Sequence, residues 1–197
     1  MKCRNIVITG VGGQGILTLG RVIGRAALYE GLEARVAEIH GLAQRGGSLI
    51  VHVRYGEKVF SPTIPKFGAD IMISLEAIEA LRYCEYISPH GFVILNKYIH
   101  PPYGHEKIMT FSTVINYLRS LFPNLVVKIV DGTFVAKKLG DVRVTNIVIL
   151  GYVYGLNLLD LSKSSIIRAI KETIPQKYIT INLKAFDEGM KLTSINY

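Results

Sequence analysis

Asn5-Ile6-Val7-Ile8-Thr9-Gly10-Val11-Gly12-Gly13-Gln14-Gly15-Ile16-Leu17 is the stretch that decides the fold. Its first five residues are dominated by β-branched side chains and read as a strand, which the glycines then break. Ile16, Leu19, Ile23 and Ala26 recur at helical spacing, and Gly20 and Gly24 let that helix pack closely. Gly31 is placed as its C-terminal cap. Residues 34–39 read as a second strand and 40–47 as a second glycine-rich loop. Strand, loop, helix and strand within about 35 residues make a βαβ unit. Ten of the 19 glycines lie in the first 47 residues, so the tight turns are concentrated there.

Working outward, 49–54 alternate into Tyr55-Gly56, and 58–60 read as a returning hairpin arm. Ser61-Pro62 and Ile64-Pro65 mark an irregular loop. Residues 69–74 form a buried strand, followed by a helix carrying Leu75, Ile78 and Leu81. Another strand covers 92–95, and His100-Pro101-Pro102-Tyr103-Gly104 is a break. The pattern then predicts a helix over 112–121, a strand over 125–130 and a short helix over 133–139. A hydrophobic helix over 146–159 follows, then a helix capped by Ser162 that ends before Pro175, then one with Leu183, Phe186 and Met190 on a single face. The expected architecture is α/β. A Rossmann-like, mostly parallel sheet carries helices on both faces and a helical C-terminal third, in one domain spanning 1–197.

Composition narrows the function. The 197 residues are 49% hydrophobic and 19% charged, which suits a folded domain with a sizeable core. Cys3 and Cys84 make no disulfide framework and cannot by themselves ligate an iron–sulfur cluster. A reduced, cytoplasmic setting follows. The N-terminus runs straight into a strand pattern without a signal peptide's apolar core. The longest uncharged stretch has 16 residues, short of the about 18–20 that a spanning helix needs, so no membrane role is expected. The net charge of +8 is scattered, with Lys137-Lys138 the only adjacent basic pair, so it favours an anionic ligand over nucleic acid.

Two clusters carry chemistry. Gly10-x-Gly12-x-x-Gly15 lies between a strand and a helix, as the dinucleotide fingerprint requires. The first glycine makes the turn, the second lets backbone N–H groups approach a phosphate, and the third packs helix on strand. Glu38, 23 residues past Gly15, stands where a ribose-binding acid would. A stand-alone NAD(P)-binding oxidoreductase is therefore one reading, and a loop that keeps the fold without the ligand is another. His40-Gly41-Leu42-Ala43-Gln44-Arg45-Gly46-Gly47-Ser48 forms the second cluster, at the C-terminal end of an expected parallel strand. Its Arg45 suits an anion or carboxylate. His52 is expected to be a hydrogen-bonded sheet residue. Glu76, Glu79 and Arg82 read as a surface ion-pair stripe. His90, His100 and His105 lack the spacing of a zinc site, and Asp131-Gly132 with Asn146 does not complete a thiamine motif.

Together the two loops resemble the gamma-type domain of 2-oxoacid:ferredoxin oxidoreductases. Gly10-Val11-Gly12-Gly13-Gln14-Gly15 is similar to that family's opening, and the 40–48 loop to the small (beta) subunit of its indolepyruvate branch. Ala69-Asp70, Glu76, Glu79-Ala80-Leu81-Arg82, Asn146, Leu150-Gly151 and Asn182-Leu183-Lys184-Ala185-Phe186 continue the likeness. The resemblance implies an accessory subunit, without catalytic residues of its own, inactive alone. A large (alpha) subunit would hold thiamine diphosphate, magnesium and iron–sulfur clusters, and electrons would pass to ferredoxin. The substrate would be indolepyruvate or another aryl pyruvate, converted to an acyl-coenzyme A. Gly10, Gly12, Gly13, Gln14, Gly15, His40, Gln44, Arg45, Gly46, Gly47 and Ser48 would face coenzyme A or the partner's site.

Overall fold

The computed structural model describes residues 3–40, 46–100 and 109–194. Six strands form one sheet: β1 (Arg4–Val11), β2 (Glu33–His40), β3 (Ser48–Gly56), β4 (Ala69–Ser74), β5 (Ile87–Asn96) and β6 (Val126–Val130). Their order is β2-β3-β1-β4-β5-β6. β1, β4, β5 and β6 run parallel, and β3 is antiparallel to both β1 and β2. Among the described residues the α-helices are α1 (Ile16–Tyr29), α2 (Ala77–Arg82), α3 (Phe111–Leu121), α4 (Gly132–Lys138), α5 (Thr145–Gly155), α6 (Lys163–Thr173) and α7 (Ile179–Lys191).

Alternation along the strands divides the core in two. Ile6, Ile8, Val51, Val53, Ile71 and Ile73 join the cluster that holds α1, α5, α6 and α7. Val7, Ile50, Met72, Val93 and Leu95 face the other way, into the cluster with α2 and α3. Both faces are therefore covered, as the hydrophobic runs of the inner strands require.

One expectation is corrected. β2 does run in the same direction as β1, but it does not lie beside it, and 40–47 does not follow a strand in a parallel pair. β3 intervenes, paired residue for residue from Glu33↔Gly56 to His40↔Leu49 on one side and Arg4↔Tyr55 to Val11↔Ser48 on the other. The sequence shows why. β3 carries Ile50-Val51-His52-Val53, all buried, and takes the inner position, whereas β2 exposes Glu33, Arg35 and Glu38 and suits an edge. Residues 58–60 form no hairpin arm. Val59 instead touches β2 through side chains, its N–H donating to Glu33 Oε2 (2.8 Å) and its carbonyl accepting from Arg35 Nε (2.6 Å).

The helix boundaries have local causes. Thr110, Asp131 and Ser162 side chains cap α3, α4 and α6 by accepting from the N–H three residues on. Gly31, at φ +75°, ends α1 as expected. α5 is shorter than the apolar run, and Asn157 at φ +55° turns the chain beyond it. From Thr145 to Val153 every residue of α5 is buried. α5 and α7 pack backbone to backbone. A Cβ on Gly151 would stand 2.1 Å from the Phe186 carbonyl oxygen, and one on Gly189 2.0 Å from that of Val148.

Candidate functional site

The two glycine loops meet at the C-terminal edge of the sheet, where open α/β sheets place their sites. Gly12 N–H donates to the Gly47 carbonyl (2.9 Å) and Gly46 N–H to the Gly12 carbonyl (3.4 Å). Gly10 lies opposite Leu49, one residue before β1 ends at Val11, while Gly12, Gly13 and Gln14 make the turn. Gly13 and Gly15 adopt φ +101° and +74°, conformations that cost an L side chain strain. Gln14 folds back over the turn. Its Oε1 accepts from Val11 N–H (2.9 Å) and its Nε2 donates to the Leu75 carbonyl (3.3 Å). That folded side chain explains Gly10, because a Cβ there would lie 2.5 Å from Gln14 Oε1.

Gly15 is the N-cap of α1, and among the described residues no side chain caps that helix or places a carboxylate in its first turn. The first amides of α1 thus keep their donors for an outside acceptor, and the helix dipole favours an anion there. Asn146 on α5 supports the corner from behind, donating Nδ2–H to the Gly15 carbonyl at 3.0 Å.

Two clefts flank Gly13. One, of about 290 Å³, is lined by Gln14, Tyr98, Thr133, Lys137, Arg143 and Thr145. The other, of about 240 Å³, includes Gly15, Thr18, Arg143, Asn146, Tyr178 and Asn182. Arg143 stands between them. It grips Asp141 through Nε and Nη2 at 2.7–3.1 Å and holds that carboxyl below the usual range. Lys137 has no carboxylate partner among the described residues. With Arg143 paired to Asp141, which also lines the second cleft, Lys137 is the uncompensated cation of a corner rich in hydroxyls, a setting suited to a phosphate-bearing ligand.

Of the residues expected here, Gly10, Gly12, Gly13, Gln14, Gly15, Gly46, Gly47 and Ser48 are brought together. His40 ends β2, paired with Leu49, and nothing is described of its side chain. Gln44 and Arg45 lie outside the described residues, and so does His105 among the histidines. The sequence reading missed Thr133, Lys137 and Arg143. Thr133 and Lys137 are four apart on the helix after β6 and share a face, a signal that was available.

A second polar cluster corrects another expectation. Glu76 and Glu79 are not a surface stripe, being 1% and 4% exposed, although Arg82 Nε does reach Glu79 Oε1 (3.1 Å). Glu76 caps α2 by accepting from Glu79 N–H (2.8 Å) and also accepts from His100 N–H (2.9 Å). Burial pushes its carboxyl above the usual range. Glu79 accepts from the Ser48 hydroxyl, which lies 2.8 Å from the Tyr83 hydroxyl. His52 is the expected sheet residue, buried, with Nδ1 accepting from Ile64 N–H (2.9 Å).

The intervening β3 also bears on Glu38. It is exposed on β2, one strand farther from β1 than the ribose-binding acid of a dinucleotide fold would be. Among the described residues, no group of three His, Cys, Asp or Glu side chains is gathered to hold a metal ion. No described helix is long and apolar enough to cross a membrane.

Residues 5–192 match the family of pyruvate ferredoxin/flavodoxin oxidoreductases. The chain belongs to it. This family member is 43% identical over 189 residues to indolepyruvate oxidoreductase subunit IorB of Archaeoglobus fulgidus, covering 94% of this chain and 92% of that one. Its fold matches the gamma subunit of a keto/oxoacid ferredoxin oxidoreductase from Geobacter sulfurreducens, with TM-score 0.71 at 22% identity over 95% and 96% of the two chains. It also matches 2-oxoglutarate:ferredoxin oxidoreductase from Magnetococcus marinus, solved with 2-oxoglutarate, coenzyme A and succinyl-CoA bound. The TM-score there is 0.76 at 20% identity, over 100% of this chain and 32% of that one. The family member is thus a small subunit of a 2-oxoacid:ferredoxin oxidoreductase.

Proposed function

We propose that this chain is the small subunit of an indolepyruvate-type ferredoxin oxidoreductase, acting in the cytoplasm on aryl pyruvates. The complex would oxidatively decarboxylate the 2-oxo acid to an acyl-coenzyme A and pass the electrons to ferredoxin. The observation that carries this reading is the 43% identity to an IorB subunit over nearly the full length of both chains. Thiamine diphosphate, magnesium and iron–sulfur clusters are assigned to a large (alpha) subunit, because the described residues do not fit them. Asp131 is taken up in capping α4. Cys3 precedes β1 and Cys84 precedes β5, at the sheet end opposite the glycine loops.

Coenzyme A would suit the corner of this chain. Its phosphates would suit the start of α1 and Lys137. Arg45 is proposed as a further anion-binding side chain from the sequence of the second loop alone. Coenzyme A supplies the thiol that accepts the acyl group. This chain's residues would bind and orient it and keep the corner shaped for it.

The test is co-expression with a large subunit. Reduction of a viologen dye by aryl pyruvate and coenzyme A is expected only with both chains present. In that complex, Arg45→Ala is expected to raise the KM for coenzyme A or the oxo acid, or to weaken assembly. The reading fails if the isolated chain is stabilised by NAD or NADP, where ligand at 100 times its Kd would add about 2.7 kcal/mol.

A further inference from the structure

Asn96 ends β5 fully buried, and its neighbours hold the side-chain amide in one orientation. Its Oδ1 accepts from Gly132 N–H at 3.1 Å, and its Nδ2 donates to the Leu75 carbonyl at 3.0 Å. A backbone N–H can only donate and a carbonyl can only accept, so the amide cannot be flipped. The second Nδ2 hydrogen goes to Thr133 Oγ1 at 2.9 Å. Thr133 therefore accepts from Asn96, and its own hydroxyl hydrogen is left for another acceptor. The Leu75 carbonyl also takes Gln14 Nε2, which ties this network to the glycine turn.

Thr133 is 9% exposed, and among the described residues no acceptor takes its hydrogen. It lines the cleft of about 290 Å³ that also holds Gly13 and Gln14, next to the start of α1. Thr145, the other threonine of that cleft, spends its hydrogen on the Val142 carbonyl at 2.6 Å. Lys137 lies one turn along α4 from Thr133 and is exposed. The start of α4 is itself no anion site, because Gly132 N–H is bonded to Asn96 and Phe134 N–H to Asp131. A buried donor without an acceptor carries a desolvation penalty, which an anionic oxygen in the cleft would remove.

We propose that Asn96 is a positioning residue, holding the Thr133 hydroxyl as a donor to a phosphate oxygen of coenzyme A in this cleft, with Lys137 supplying the charge. This rests on the proposed function for the identity of the ligand. The carboxylate of the oxo acid is the other source of such an oxygen, and the test separates the two.

Calorimetry of the co-expressed complex with coenzyme A provides that test. Thr133→Val removes the hydroxyl at nearly constant volume and is expected to weaken coenzyme A binding about tenfold, as loss of a charged hydrogen bond does. Thr133→Ser keeps the donor and should restore most of the affinity. Pantetheine, which has the thiol without a phosphate, should bind wild type and Thr133→Val alike. A raised KM for the oxo acid with unchanged coenzyme A binding would give the hydroxyl to the carboxylate and overturn the proposal.

Asn96→Asp offers Thr133 an acceptor in place of the donor, so the hydroxyl turns away from the cleft. It should weaken coenzyme A binding about as much as Thr133→Val, and the double variant should be no weaker than either. A further loss in the double variant would trace the effect to the added charge and remove Asn96 from the role. Should Asn96→Asp fail to fold, a structure of the wild-type complex with coenzyme A decides. A phosphate oxygen about 2.7 Å from Thr133 Oγ1 supports the proposal, and a phosphate elsewhere overturns it. Lys137→Met, at an exposed position, should leave the melting of the free chain as before while coenzyme A binding weakens and loses part of its salt dependence. An active complex in which Thr133→Val and Lys137→Met bind coenzyme A as wild type does overturns this inference and leaves the proposed function standing. A wild-type complex that neither binds nor consumes coenzyme A overturns both.

Discussion

Asn146 holds Gly15 from 131 positions away, its Nδ2–H donating to the Gly15 carbonyl at 3.0 Å while its Oδ1 accepts from Ile147 N–H. The same approach forbids a side chain at 15. A Cβ there would stand 2.5 Å from Asn146 Nδ2, at a φ of +74°. Gly15→Ala is expected to cost about 2–3 kcal/mol, from left-handed strain and overlap together. Asn146→Ala alone should cost about 1 kcal/mol for the lost hydrogen bond. The double variant should be less destabilised than the sum, since removing Asn146 relieves the overlap but not the strain. Denaturant melts of the four proteins decide it, and strict additivity would sink the account.

Gly189→Ala is the severest single change expected in the core. The new methyl would meet the Val148 carbonyl oxygen at 2.0 Å, and backbone on both helices must part to admit it. About 3 kcal/mol of stability should be lost. Met190→Ala, beside it and only part-buried, should cost less. Equal melting temperatures for Gly189→Ala and wild type would refute backbone contact between α5 and α7.

These two cases show what the sequence could and could not disclose. Gly10-x-Gly12-x-x-Gly15 is a local pattern, and local patterns gave the first strand, the turn and α1. The inner place of β3 is not a local pattern, because it emerges only when the apolar run 50–53 is compared with the charged run 33–38. Glu76 and Glu79 misled for a related reason. Their spacing with Arg82 describes a helix face but says nothing of what covers it. The covering group is Ser48 for one carboxylate and the His100 backbone for the other, and only the fold brings either near.

His52 makes stability depend on pH. Burial, and then the charge of Arg54, hold its imidazole below the usual value of 6.5. Among the described residues the buried Nε2 has no hydrogen-bond partner, and the ring stands edge-on to Tyr86 with centroids 5.0 Å apart. The unfolded chain therefore binds this proton more readily than the folded one. Stability should fall as pH drops below about 6.5, and the loss should be complete below the folded pKa. His52→Asn can still accept from Ile64 N–H but cannot titrate. Its stability should be flatter across that window, and parallel curves for the two proteins would exclude His52 as the source.

Ser48→Ala should loosen the corner where the loops meet more than the sheet that supports it. The Ser48 hydroxyl donates to buried Glu79, and Arg82 is then the only other side chain on that carboxylate among the described residues. Leaving a buried carboxylate short of a donor costs about 1–3 kcal/mol. Ser48 also opens β3 directly after Gly47, whose carbonyl takes the Gly12 N–H. Freeing Ser48 frees Gly47, and with it the bond between the two loops. Exchange at the Gly12 amide should therefore quicken more than at Ile8, which lies deep in β1. Glu79→Gln keeps an oxygen for Ser48 and should disturb Gly12 less, even though it gives up the charge that Arg82 pairs with. If Gly12 and Ile8 respond equally to Ser48→Ala, the loss is a global one, and Glu79 supports the fold without positioning the loop.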